Sequence, residues 1–423
     1  MESLNHLPMF SRRDVLHTFA GLGLSFALPG MDLLAANKRG KERQKSFILL
    51  WLAGGPSQLE TWDPHPGTKI GGPSKAIATR DPKLKISDLY PRMAEQIDTM
   101  SVIRSMVSKE GDHERGAYFL KTGFRPAPAL VHPSVGAILT HELPVPGLEI
   151  PTHISLGNAP SPARGGYLGA KYDAFKVFDP GRNLQNLESG TDDKKRQKRR
   201  LANLDVISSS FRLGRQLQVK RTLHQQTIDR ARLMMSSEQL DALVIKDEPQ
   251  KIRDAYGDSN FGRGCLVARR LVETGVRAIE VTLPGFDSHA SNYGSHVESA
   301  KSLDPAFSAL ISDLKTRDLL DSTVVLCIGE FGRTPKINPL GGRDHWPSGF
   351  SCVIGGGGIK GGLVIGETDP TGKKIKPADP IEVNQLYATI FKTMGVDITQ
   401  ETITPIGRPM KFCDGKPVDR LLV

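Results

Sequence analysis

Apolar runs that end in glycine alternate with segments of helical period along most of this chain. Ser46-Phe-Ile-Leu-Leu-Trp-Leu52 has little polar interruption and opens into Ala53-Gly54-Gly55-Pro56-Ser57, the pattern of a buried strand running into a turn. Residues 101–106, 150–156, 277–283, 323–328 and 351–354 are further strand candidates, rich in Val and Ile. Helical patterns occupy 261–275, 301–317 and 384–394, the first two directly ahead of strands. Repeated helix-then-strand units predict an α/β fold with a mostly parallel sheet between helices. From about 184 to 256 the chain turns charged, with Leu201, Leu204, Ile207, Phe211, Leu213 and Leu217 at helix-like spacing; this segment reads as a helical insertion or cap.

Composition adds little to that picture, with 38% hydrophobic and 24% charged residues, as in an ordinary globular chain. The net charge of +10 is concentrated in residues 194–200, where six of seven side chains are basic. No interleaved aromatics or zinc knuckle accompany that run, which argues against nucleic acid as a partner. It reads as a solvated face, or as one that gathers anionic ligands or rests on an anionic surface. Cys265, Cys327, Cys352 and Cys413 are far apart and form neither a disulfide framework nor a zinc motif. The N-terminus carries Ser11-Arg12-Arg13-Asp14-Val15-Leu16 ahead of an apolar stretch, a twin-arginine signal pattern. The expected organisation is a signal over 1–36, a basic linker over 37–45 and one domain over 46–423, in a protein exported to the periplasm or beyond. Ala35-Ala36 follow two leucines without a clean small-x-small site, so the segment is either cleaved there or kept as an anchor.

Chemistry collects where the strands stop. The run 323–328 ends in Gly329-Glu330-Phe331-Gly332-Arg333, and a short loop then brings Arg343-Asp344-His345-Trp346. The 277–283 run ends in Asp287-Ser-His289-Ala-Ser-Asn292, and 101–106 is followed by Asp112-His113-Glu114-Arg115. In an open sheet, ligands sit outside the carboxyl ends of strands, so three ends that each carry an acid and a His predict one site. Mixed carboxylates and imidazoles suit zinc, manganese or iron better than calcium, or else an acid/base centre. A plainer alternative pairs Glu330 with Arg333 and packs His345 on Trp346. Ser57 is either a nucleophile or the cap of the next helix.

On these residues, above all Glu330-Phe-Gly-Arg-Thr-Pro335 and Gly342-Arg-Asp-His-Trp-Pro347, the chain resembles the domain of unknown function family 1501. Those are exported, planctomycete-type bacterial proteins grouped with the alkaline-phosphatase-like (sulfatase-like) superfamily. The resemblance implies an alkaline-phosphatase-like three-layer sandwich and a metal-dependent hydrolase of phosphate or sulfate esters. It implies Asp287, His289, Glu330 and His345 as metal ligands. His113 stands where that superfamily carries a Ser, Thr or Cys nucleophile, at the start of a segment ending in Thr122-Gly123. With Arg115 and Arg333 it completes the candidate catalytic set; Ser57, Arg164, Asn292 and Asp344 are the candidate substrate-binding residues. Two positions depart from the pattern. Gly54 replaces a first-strand metal Asp, with Asp63 or Glu60 as possible substitutes, and Phe331 replaces a His. These departures favour one metal over two, and keep open an exported protein that binds anionic glycans without turnover.

Overall fold

The first apolar run becomes β1 (Ser46–Leu52), buried along its whole length near the middle of a nine-stranded sheet. The computed structural model describes residues 43–161, 163–182, 194–213 and 231–423, and residues 44–423 form one compact unit. The expected signal, most of the linker and parts of the expected insertion lie outside the described residues.

The other strands of the sheet are β2 (Met100–Val107), β3 (His153–Leu156), β4 (Phe175–Val177), β5 (Ala278–Leu283), β6 (Thr323–Ile328), β7 (Phe350–Gly355), β8 (Val364–Ile365) and β9 (Ile381–Glu382). They lie in the order β8-β2-β7-β6-β1-β5-β3-β4, with β9 also pairing β2. β1 runs parallel to β5 (Phe47 beside Ala278) and to β6 (Phe47 beside Val324). The mostly parallel sheet expected from the alternation is therefore present, with one departure. β7 runs antiparallel to both β6 and β2. The carboxyl ends of β1, β2, β5 and β6 thus share one edge with the amino end of β7. A loop that leaves β6 can return to β7 without crossing the sheet.

Helices cover both faces: α1 (His113–Thr122), α2 (Val135–Glu142), α4 (Asn260–Thr274), α5 (Asn292–Thr316) and α6 (Val383–Met394) are the principal ones, and α3 (Lys194–Arg212) lies in the expected insertion. Alternate side chains of β1 enter opposite cores, as the period of a strand requires. Ile48, Leu50 and Leu52 join Val281, Val325 and the inward faces of α4 and α5. Phe47, Leu49 and Trp51 join Val324, Leu326 and residues of α1, α2 and α6. Burying each such side chain contributes roughly 1.5–3 kcal/mol, so the central strand is held from two sides. The result is three layers, helix on sheet on helix.

Some boundaries move. α5 begins at Asn292, well ahead of residue 301, and continues through Pro305. α3 has the expected helical period and holds the basic run, but its Leu204, Ile207 and Phe211 are exposed. All four cysteines are free and buried, and among the described residues no helix is long and apolar enough to cross a membrane.

Candidate metal centre

Each functional side chain is delivered by a strand end or by the amino end of β7. α1 starts straight after the β2 loop, with Asp112 as its cap, accepting from the amides of Glu114 (3.0 Å) and Arg115 (3.1 Å). His113 is therefore the first helical residue. Gly116 lets this first turn come close, since a Cβ there would lie 3.1 Å from Phe331 and 3.4 Å from Glu330. Asp287 and His289 follow β5, Glu330 follows β6, and His345 lies in a two-residue antiparallel ribbon opposite Arg333.

These elements bring four atoms together. Asp287 Oδ1 lies 3.3 Å from His113 Nε2, 3.2 Å from His289 Nε2 and 3.6 Å from His345 Nε2. The Nε2 atoms of His289 and His345 are 2.9 Å apart. The opposite nitrogen of every ring is anchored. His113 Nδ1 donates to Glu330 Oε1 (2.8 Å), His289 Nδ1 to Asp344 Oδ1 (3.0 Å) and His345 Nδ1 to the Gly111 carbonyl (2.7 Å). A carbonyl or carboxylate can only accept, so each neutral ring carries its proton on Nδ1 and turns a lone pair on Nε2 inward. Three lone pairs and a carboxylate oxygen aimed at one point repel one another unless a cation lies among them. His113 Nε2 is buried and has no hydrogen-bond partner.

This is how metal-binding imidazoles are usually held, with the remote nitrogen fixed by a carboxylate or carbonyl. Donors each roughly 2 Å from a transition metal lie about 3.3 Å apart around a tetrahedron, and the distances here scatter around that spacing. The donor set therefore fits a divalent ion. His113, Asp287 and His345 form a group whose ligand atoms lie within 4.8 Å of one another, and His289 Nε2 adjoins it. The centre is open on one side, with about half of the Asp287 and His289 side chains exposed.

The electrostatics follow from these contacts. The hydrogen bond to Glu330 raises the His113 pKa; burial opposes the rise and the Asp287 charge adds to it. Burial lowers that of His345, against the Gly111 hydrogen bond. Burial also works to raise Asp287, but the Arg333 hydrogen bond and the neighbouring rings overcome it and hold the carboxyl below its ordinary value. The His289 hydrogen bond lowers Asp344.

The arrangement revises several expectations. Glu330 is buried, with Oε1 taken by His113 and by the Gly54 amide (2.8 Å), so it braces a ring where a ligand was expected. His113 Nε2 instead faces the other donors, and a side chain directed at that centre is not positioned as a free nucleophile. Asp344 braces His289. Arg333 is fully buried and bonded to backbone carbonyls and Asp287, with no edge turned to a substrate. Arg115 is tied to Glu110 (2.7 Å); that bond, opposed by burial and helped by Arg125, pulls the Glu110 carboxyl down to about 2. Ser57 is buried and caps the Leu59 amide, its own amide donating to His296 Nε2. Asn292 is buried at the start of α5 and accepts from the Ser288 hydroxyl. Arg164 is exposed, and its carbonyl accepts the Ser134 amide. Neither possible substitute for a first-strand Asp reaches the centre: Glu60 pairs with buried Arg343, and Asp63 accepts the Thr368 amide. Phe331 packs on His113 and His345, with ring centroids 5.0 and 4.4 Å away. The Gly111 carbonyl was not anticipated, since a backbone acceptor leaves no mark in composition.

A three-layer α/β protein with a histidine–carboxylate centre on its sheet edge is the class that fold and site define. The chain belongs to the DUF1501 family, described as protein of unknown function, which matches residues 44–422. No curated protein matches the chain. Among solved structures it is similar to a protein of the alkaline phosphatase superfamily from Vibrio parahaemolyticus, at 13% identity over 85% of this chain and 68% of that one, with a TM-score of 0.36. It is similar to the lipoteichoic acid synthase LtaP from Listeria monocytogenes, at 11% identity over 90% and 76% of the two chains, TM-score 0.37. The PsFucS1 sulfatase from Pseudoalteromonas sp. is similar at 12% identity over 86% and 70%, TM-score 0.39.

Proposed function

We propose that this chain is an exported, metal-dependent hydrolase of phosphate or sulfate esters, acting on an anionic small molecule or glycan. The observation that carries the reading is the convergence of three Nδ1-anchored imidazoles with Asp287 on the open edge of the sheet. His113, His289, His345 and Asp287 would hold the ion; zinc, manganese and iron all suit such donors. When bound, a divalent ion there polarises an ester oxygen and lowers the pKa of a water. Glu330, Asp344 and the Gly111 carbonyl keep the rings in the ligating tautomer.

The test is a panel of aryl phosphates and aryl sulfates with the protein loaded by zinc, manganese or iron in turn. Metal-dependent release is expected from at least one ester, falling to background when His113 is changed to Ala. His113 stands at the expected nucleophile position but faces the other donors, and Gly54 stands where a first-strand Asp was expected, which favours a second reading as an anionic-glycan binding protein. Metal-dependent glycan binding with no ester cleaved by any loaded form would select that reading over the hydrolase.

Export is part of the same proposal. Arg12 and Arg13 changed together to Lys should keep the protein in the cytoplasm, because the pair is read by a receptor. A doubly substituted chain that still fractionates with the periplasm would exclude the twin-arginine route.

A further inference from the structure

The Arg333 guanidinium is surrounded by oxygen. Its Nε donates to the Gly55 carbonyl (2.9 Å), Nη1 to the Arg343 carbonyl (3.0 Å), and Nη2 to the Gly54 carbonyl and to Asp287 Oδ1 (2.8 Å). The side chain has no solvent exposure. Its backbone is gripped by one side chain, Gln58, whose Nε2 donates to the Arg333 carbonyl (2.9 Å) and whose Oε1 accepts the Arg333 amide (3.1 Å). Three carbonyls and a carboxylate are the donors that hard cations such as calcium prefer. Here an organic cation fills that cage, and a guanidinium keeps its charge at any working pH.

We infer that Arg333 is a fixed internal cation that occupies the oxygen-lined position beside Asp287 and so restricts the centre to a single metal ion. The inference rests on the metal reading above and extends it to the ion count. Asp287 Oδ1 is shared: Arg333 holds it from the buried side, and the three Nε2 atoms face it from the other. A second ion bridged through Asp287 would need the space and the oxygens that the guanidinium takes, and would sit against a charge that cannot be removed. Arg333 is thus a positioning residue. It acts through Asp287, keeping that carboxylate aimed at the imidazoles.

The experiment titrates metal-depleted full-length protein with cobalt(II), counts the ions retained after desalting, and separately records the melting temperature with and without millimolar calcium. One equivalent of cobalt and no calcium shift are expected. In Arg333→Ala the vacated cage should gain calcium affinity by about tenfold or more, which a merely structural arginine would not predict, and free guanidinium ion should restore lost melting temperature. Arg333→Lys, which keeps a charge, should still stop at one cobalt. Two equivalents in the unmodified protein, or its stabilisation by calcium added after cobalt, would overturn the inference and leave the metal reading standing. So would a folded Arg333→Ala that answers neither calcium nor guanidinium. No cobalt uptake at all would instead remove the metal reading. Should Arg333→Ala fail to fold, the counts on the unmodified protein and on Arg333→Lys decide.

Discussion

Changing His289 and His345 together to Ala is expected to leave the purified protein without bound transition metal, whereas the unmodified chain retains it through desalting. Loss of a group that merely braces a ligand costs about 10–100-fold in affinity. Losing two of four donors costs far more, because the remaining pair, His113 and Asp287, cannot surround an ion. The fold should survive, since neither imidazole belongs to the two cores on the sheet. Far-ultraviolet circular dichroism should be unchanged while metal analysis falls to background. Metal content equal to that of the parent would remove this centre as the binding site. Metal-free parent protein whose melting ignores added divalent ions would remove the metal altogether.

Gly54→Ala should be nearly as damaging, by a different route. Gly54 has φ +113°, and a Cβ there would lie 2.3 Å from the Asp287 amide nitrogen and 2.7 Å from the Phe286 carbonyl carbon. Both obstacles are backbone, so no rotamer relieves them. Strain and displacement together should cost roughly 3–5 kcal/mol, read as a lower denaturation midpoint. The segment that must move carries Asp287, so metal content should fall too. The same geometry explains why an Asp cannot occupy this position as a first-strand ligand. An alanine variant that unfolds with the parent and keeps its metal would refute this account.

Much of the framework was legible along the chain. The strands at 46–52 and 323–328 match the expected runs, because a strand buried on both faces must be apolar throughout. Helix ends such as Gly123, Gly275 and Gly395 are marked by the left-handed backbone they adopt. An acid and a His after three strand ends predicted that these residues share one edge of the sheet, and they do. Assignment within that edge was not legible. Glu330 and Asp287 are both carboxylates a few residues past a strand, and whether one binds an ion or braces a ring depends on where α1 packs, which Gly116 governs. Treating all three His alike would have placed His113 among the ligands. The reversed β7 was hidden because strand direction is set by pairing, and Phe350–Gly355 has the same apolar pattern either way. Arg333 looked like a catalytic residue because its four oxygen partners leave no mark in the sequence around it, three of them being backbone.

The place of β1 also sets an order of events at the ribosome. Its neighbours are made long after it: Phe47 pairs with Ala278, and Trp51 waits for Ile328. At about 5–20 residues per second, the separation from Phe47 to Ala278 holds the central strand unpartnered for roughly 12 to 46 s. Throughout that interval a largely apolar segment, one short linker behind the proposed export address, must be kept from aggregating. The sheet closes only when most of the chain has been synthesised, so a route that carries folded protein would have to act after translation.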